Sequence, residues 1–152
     1  MIWFRPNRLT ETRRRKILNV TGGCHCGSLT YQAEIDENRV VICHCTDCQK
    51  LSGSAFRTVV FTYEDKFKLT KGQIKTYIKI ADSGAEREQG FCGECGTAIY
   101  AVSTGNEPRI YGIRMGSLDE QDGLTPKLQV WSSSALSWTQ QLKSIPETQG
   151  QP

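Results

Sequence analysis

Three cysteines fall within six residues, in the run Cys43-His44-Cys45-Thr46-Asp47-Cys48. The spacing is C-x-C followed by C-x-x-C, with Cys45 shared between the two. Thiolates this close repel one another unless a cation sits between them. A soft divalent metal, most often zinc, is the usual answer. Three ligands leave a tetrahedron incomplete. Structural zinc sites are closed by four protein groups, whereas catalytic ones keep a position open. The central question is where a fourth ligand would come from.

The chain has seven cysteines: Cys24, Cys26, Cys43, Cys45, Cys48, Cys92 and Cys95. An odd number argues against a closed disulfide framework. Bridges within C-x-C or C-x-x-C would also close small, strained rings. The seven divide naturally into four and three. Cys24 and Cys26 lie in Gly23-Cys24-His25-Cys26-Gly27, and Cys92 and Cys95 in Phe91-Cys92-Gly93-Glu94-Cys95-Gly96. Flanking glycines let the backbone turn tightly round a metal, so these two pairs can close one four-cysteine site. Cys43, Cys45 and Cys48 then remain as an open trio. Two other arrangements are compatible with the sequence. One mixes the pairs, for example Cys24/Cys26 with Cys43/Cys45. The other makes all seven structural, with His25 or His44 completing the second site. Both histidines lie between ligand cysteines, so their side chains are expected to point away from the metal.

The elements that must position these residues are short strands. Leu29, Tyr31, Ala33 and Ile35 alternate with Ser28, Thr30, Gln32 and Glu34, the period of a half-buried strand. Val40-Val41-Ile42 delivers the chain to Cys43. Gln49-Lys50-Leu51-Ser52 reads as one helical turn halted by Gly53. Further strands are expected at 55–61, 67–69, 74–78, 97–102, 109–115 and 127–131, with a hairpin-like turn at Lys71-Gly72, and Arg87 to Phe91 runs into the second cysteine pair. Around eight short strands without a long helix mean an all-β domain. Trp131 and Trp138 are assigned to closing the core.

A length of 152 residues suits one domain, and 38% hydrophobic with 23% charged residues permits a modest core. No apolar run approaches the ~20 residues of a membrane helix, and no signal-peptide pattern opens the chain. Free or metal-bound thiols suit a reducing compartment, so the expected location is cytoplasmic. The net charge of +3 hides an asymmetry. Residues 1–16 carry six basic residues against Glu11, a balance of +5, and the other 13 basic and 15 acidic residues leave −2. No nucleic-acid partner is expected for such a body. The division read from sequence is a basic extension at 1–19, a zinc domain at 20–146 and a polar tail at 147–152.

Gly22-Gly23-Cys24-His25-Cys26-Gly27, the trio run and Ser52-Gly53 closely resemble the glutathione-dependent formaldehyde-activating enzyme family, which also includes centromere protein V. The likeness continues through Phe91 to Thr97, Gly116-Ser117-Leu118-Asp119, and Ser134-Ala135 with Trp138. It covers roughly residues 20–146 and leaves out the basic extension. The resemblance implies a β-tent fold of antiparallel sheets stapled by zinc. It implies two zinc ions per chain, a structural one at Cys24, Cys26, Cys92 and Cys95 and a catalytic one at Cys43, Cys45 and Cys48. The implied activity is that of a carbon–sulfur lyase on S-hydroxymethylglutathione, the adduct of glutathione and formaldehyde, or a related thiol adduct.

Metal coordination removes the proton from a bound thiol. A tris-thiolate zinc is a weak Lewis acid but holds a reactive sulfur, which suits thiol attack on an aldehyde. Asp47, His44 or a water are the candidates for moving the hydroxyl proton. Arg57, Lys50 and Arg114 are the candidates for meeting glutathione carboxylates, and Phe56 and Tyr63 for walling the site. The competing readings are a non-catalytic zinc module that binds a macromolecule, and a zinc carrier or thiol sensor.

Overall fold

The computed structural model describes residues 15–81, 83–105 and 108–151. Ile2-Trp3-Phe4 and most of the basic run therefore lie outside the described residues. Among the described residues ten strands form two sheets. A small antiparallel sheet holds β1 (Ile17–Gly23), β2 (Thr30–Asp36) and β5 (Phe67–Lys71) in the order β1-β2-β5. A larger sheet is built from β3 (Val40–Cys43), β4 (Arg57–Tyr63), β6 (Ile74–Ile80), β7 (Glu86–Cys92), β8 (Ala98–Ser103), β9 (Ile110–Arg114) and β10 (Leu128–Val130). Its order is β10-β3-β4-β9-β8-β7-β6, antiparallel except where β10 runs parallel to β3. The all-β, single-domain expectation is met.

One hydrophobic core joins the sheets. Val20, Leu29, Tyr31, Ala33 and Ile35 from the small sheet meet Val40, Val60, Ile99, Tyr100, Val102, Tyr111 and Ile113 from the large one. The rings of Tyr31, Phe67, Tyr100 and Tyr111 stack or tilt against one another with centroids 4.4–5.7 Å apart. Alternation then fixes the other face of the large sheet. Val41, Val59, Ala101, Gly112 and Arg114 are the sequence neighbours of those core residues, so they point to the opposite side. That outer face carries the candidate site.

Several details differ from the sequence reading. Ile17, Leu18 and Asn19 belong to β1 and pair with Asp36, Ile35 and Glu34, so the sheet starts inside the stretch read as an extension. Lys71-Gly72 is not a hairpin. β5 and β6 lie in different sheets, and the chain crosses between them there. Gly72 suits the crossing, with φ of +80° and a Cβ position only 2.3 Å from the Ser28 carbonyl. Trp131 and Trp138 are 40% and 47% exposed, so neither closes the core. Both follow the last strand, on a segment of short 3₁₀ turns that no sheet covers.

The Gly116-Ser117-Leu118-Asp119 run is a latch on β1. Leu118 bridges to Gly22, Asp119 accepts a hydrogen bond of 2.6 Å from the Thr21 hydroxyl, and Ser117 meets Tyr31 Oη at 2.7 Å. A Cβ on Gly22 would stand 2.4 Å from the Ser117 carbonyl and 2.5 Å from Tyr31 Oη. Gly22→Ala is therefore expected to lower stability by about 1–3 kcal/mol, as overpacking does, read as an earlier midpoint in urea. An unchanged midpoint would show that the latch yields.

Candidate metal centres and cavity

The cysteines of the first cluster lie where strands hand over to tight turns. Between β1 and β2 the Cys24 amide donates to the Leu29 carbonyl at 3.0 Å and the Gly27 amide to the Cys24 carbonyl at 3.1 Å. Between β7 and β8 the pattern repeats, with Cys92 to Thr97 and Gly96 to Cys92, both at 2.9 Å. Gly27 and Gly96 share a φ of +74°, the left-handed conformation that glycine adopts without steric cost. The two turns bring Cys24, Cys26, Cys92 and Cys95 together, with all four sulfurs within 4.8 Å of one another. Cys24 and Cys26 sulfurs are 3.5 Å apart, and Cys26 and Cys92 sulfurs 3.9 Å. Tetrahedral zinc with bonds of about 2.3 Å sets its sulfurs about 3.8 Å apart, so this cluster fits a zinc ion. The Thr97 hydroxyl, 3.1 Å away, and the Thr97 and Cys26 amides hold the Cys95 thiol down to about 5, already in the ligand form.

The second cluster is Cys43, Cys45 and Cys48, again with sulfurs within 4.8 Å of one another. Cys43 ends β3, and Cys45 caps the helix α1 (Thr46–Ser52), its sulfur accepting from the Cys48 amide at 3.4 Å. The helix thus starts three residues earlier than the turn read from sequence, because the cap is a cysteine. Gly53, at φ +62°, ends it as expected. Within the bare trio, Cys43 and Cys48 both donate toward Cys45. Those hydrogen bonds pull the Cys45 thiol down to about 2 and push Cys43 up. Of the three thiols, Cys45 is the one most readily ionised, and metal binding at the trio would displace the remaining protons.

Neither His25 nor His44 joins a cluster, and the mixed pairing of cysteines does not occur among the described residues. His44 is buried, 3% exposed, and faces Gln129 at 2.7 Å and the Phe56 ring. Its backbone amide donates to Val130, and Gln49 Nε2 ties the His44 and Ser134 carbonyls together at 2.8 and 2.9 Å. The residues around the trio are thereby strapped to β10 and the loop behind it. At the end of that strap Trp131 takes a left-handed backbone, φ 58° and ψ 39°, the one non-glycine residue to do so among those described.

The trio opens into a cavity of about 460 Å³ over the outer face of the large sheet, within the ~300–1,000 Å³ usual for small-molecule sites. Val41, Val59, Phe61 and Ala101 make its apolar floor, Trp131 and Ser134 one wall, and Ala81, Ser83 and Ala85 another. Asp47, Lys79, Arg87, Gln89 and Arg114 supply its polar groups. Asp47, a residue between two trio cysteines, reaches across to Lys79 at 2.5 Å. Arg114 donates to Gln89 Oε1 at 2.8 Å, and Arg87 donates to the Ser103 hydroxyl. Burial, with repulsion from Arg57, pulls the Arg114 guanidinium down to about 9, against the stabilising pull of Cys48.

Of the residues nominated for meeting carboxylates or walling the site, Arg114 alone lines this cavity, and of those nominated for proton transfer, Asp47 does. Arg57 stands opposite Cys43 in the β3–β4 register and is buried outside the lining. Lys50 belongs to a neighbouring cleft with Leu51 and Tyr77. Phe56 packs on His44, and Tyr63 lies beside the Arg39 guanidinium. Lys79, Arg87 and Gln89 were not singled out from sequence. The available signal was Arg87 and Gln89 two apart on one strand, with Lys79 across from Arg87 in the adjoining strand.

Comparison with known proteins agrees with this architecture. The family model described as glutathione-dependent formaldehyde-activating enzyme matches residues 19–134. A crystal structure of a Rhodobacter sphaeroides protein superposes with a TM-score of 0.56 at 19% identity, covering 72% of this chain and 99% of that one. At that identity the likeness speaks for the fold. No helix among the described residues is long and apolar enough to cross a membrane.

Proposed function

Because the chain belongs to the glutathione-dependent formaldehyde-activating enzyme family, we propose that it is a zinc-dependent carbon–sulfur lyase acting on S-hydroxymethylglutathione or a related small thiol adduct. The observation that carries the reading is the open trio at the wall of a cavity. A closed four-cysteine cluster has no position for a substrate, whereas a three-cysteine one facing a cavity does.

In this reading Cys24, Cys26, Cys92 and Cys95 hold a structural zinc, and Cys43, Cys45 and Cys48 hold the catalytic one. Zinc bound by the trio would supply a coordination position that keeps the substrate sulfur as thiolate and accepts it as the carbon–sulfur bond breaks. The chain's own residues do the rest. Val41, Val59 and Phe61 exclude water from the reacting carbon. His44 is turned to Gln129, which removes it from the candidates for proton transfer. Asp47 lines the cavity with its carboxylate on Lys79, so the Asp47–Lys79 pair is the group placed to hold and move the proton of the hydroxymethyl oxygen. Seven free thiols suit the cytoplasm, where reduction keeps them available to metal.

Exchange of formaldehyde with glutathione, followed by NMR on protein of measured metal content, tests the proposal. Saturable exchange that disappears with the trio's metal is expected. Two zinc ions should leave at different chelator strengths, the trio's first. The reading would be falsified if fully metallated protein gave no rate above that of free zinc. In that event a binding role for the same cavity, the macromolecular module included, takes its place.

A further inference from the structure

We propose that the trio's loop and Trp131 form one mechanical unit, in which a metal held by the three cysteines sustains the strained backbone of the cavity wall. The inference rests on the metal-centre half of the lyase reading and needs no particular substrate.

Trp131 lines the cavity together with Ser134. Its φ of 58° and ψ of 39° put the backbone in the left-handed region. There the Cβ of an L-residue crowds the following carbonyl oxygen. Glycine, asparagine and aspartate tolerate the crowding, whereas a bulky side chain is an outlier. Such an outlier persists only where its surroundings hold it, and it gathers at sites that must be preorganised.

Hydrogen bonds on both sides of Trp131 lead to the trio. Just before it, the Val130 carbonyl accepts from the His44 amide at 3.1 Å, and Val130 stands opposite Cys43 in the β10–β3 register. His44 Nε2 meets Gln129 Oε1 at 2.7 Å. Just after it, the Ser134 amide donates to the Trp131 carbonyl at 3.0 Å and closes a tight turn. The Ser134 carbonyl in turn accepts from Gln49 Nε2 at 2.9 Å, and the same Nε2 donates to the His44 carbonyl at 2.8 Å. His44 lies between Cys43 and Cys45, and Gln49 follows Cys48. Both are therefore pinned once the three sulfurs converge on one ion. A metal narrows the freedom of the loop, and the loop narrows the conformations open to Trp131. Linkage makes the effect reciprocal. Strain at Trp131 belongs to the metal-loaded state and so lowers the trio's affinity. His44 and Gln49 are positioning residues, and the wall takes this shape only on the metal-loaded chain.

The test measures the trio's zinc affinity on the intact chain, by competition with a chromophoric chelator, for Trp131→Gly, Trp131→Asn and Trp131→Val. Glycine and asparagine relieve the strain, and β-branched valine deepens it. The first two variants should hold the trio's zinc at least about fivefold more tightly than the unaltered protein, and the valine variant less tightly. A wall acting by packing alone gives the reverse order, because valine keeps more apolar contact than glycine or asparagine. That reverse order, or affinities indifferent to residue 131, overturns the coupling. Gln49→Ala should weaken the trio's hold on zinc and erase the dependence on residue 131; a dependence that persists shows that the strap is not the link. A second measurement needs no change at Trp131. With Trp3→Phe and Trp138→Phe, Trp131 is the sole indole, and its emission should shift as the trio's zinc leaves. Unchanged emission overturns the coupling even if the residue-131 variants do not fold. A trio that takes up no metal overturns the coupling and the metal-centre reading together. Coupling without formaldehyde exchange would sink the lyase reading alone, and exchange in a protein whose emission ignores the metal would sink the coupling alone.

Discussion

Cys95→Ser is expected to leave the chain unfolded at temperatures where the unaltered protein is native. The four-cysteine cluster joins the β1–β2 turn of the small sheet to the β7–β8 turn of the large one. Structural zinc contributes about 10–16 kcal/mol of apparent binding free energy in small zinc modules, while a whole domain is stable by only about 5–15 kcal/mol. Losing one of four ligands therefore removes an amount comparable with the entire stability. Serine cannot substitute, because its hydroxyl stays protonated where the Thr97 hydroxyl and two amides hold the cysteine as thiolate. Circular dichroism melting with metal analysis reads the outcome. A cooperative melt near that of the unaltered protein would mean that the shared core, rather than this cluster, holds the sheets together.

The sequence announced the cysteine chemistry plainly and the sheets unevenly. β2 reads cleanly because one of its faces meets the core and the other meets water. Strands of the large sheet have the core on one face and the cavity on the other. Val40-Val41 and Val59-Val60 therefore appear as continuous apolar pairs in which the two faces look alike. That ambiguity hid the cavity floor and the polar residues Gln89 and Arg87 that share it. The parallel pairing of β10 with β3 joins residues such as Gln129 and Ile42 that are far apart in the chain, and no local pattern marks it. Without that pairing, Trp131 read as another core aromatic instead of a strained residue at the cavity wall. The β5–β6 turn misled for a related reason. Lys71-Gly72 has the chemistry of a hairpin, yet the demand for glycine comes from the Ser28 carbonyl it must pass. The candidate metal ligands were legible because coordination depends on residue type and close spacing, both local properties. The cavity residues Arg87 and Gln89 were not, since they meet Arg114 only where β7 and β9 come together across a sheet whose order the sequence does not display.

Cys45→Ser should have the opposite profile to Cys95→Ser, with a native fold, about one metal ion fewer per chain and exchange reduced by two orders of magnitude or more, since even changes behind a metal ligand cost about 10–100-fold. The helix survives because serine is itself a favoured N-cap, and its hydroxyl can accept from the Cys48 amide as the sulfur does now. The trio does not survive. Cys45 is the member that Cys43 and Cys48 both donate to, and its thiolate is the one formed most readily. Without it the remaining thiols sit beside Arg57 and Arg114 with too few ligands to retain a metal against the solvent. The melting temperature should shift by only a few degrees, because the cluster lies on the outer face of the large sheet, away from the core of Tyr31, Val60 and Ile113. Metal analysis, melting and the exchange assay on both variants together decide the assignment. If Cys45→Ser unfolds while Cys95→Ser stays folded and merely loses activity, the structural and catalytic roles of the two clusters must be exchanged.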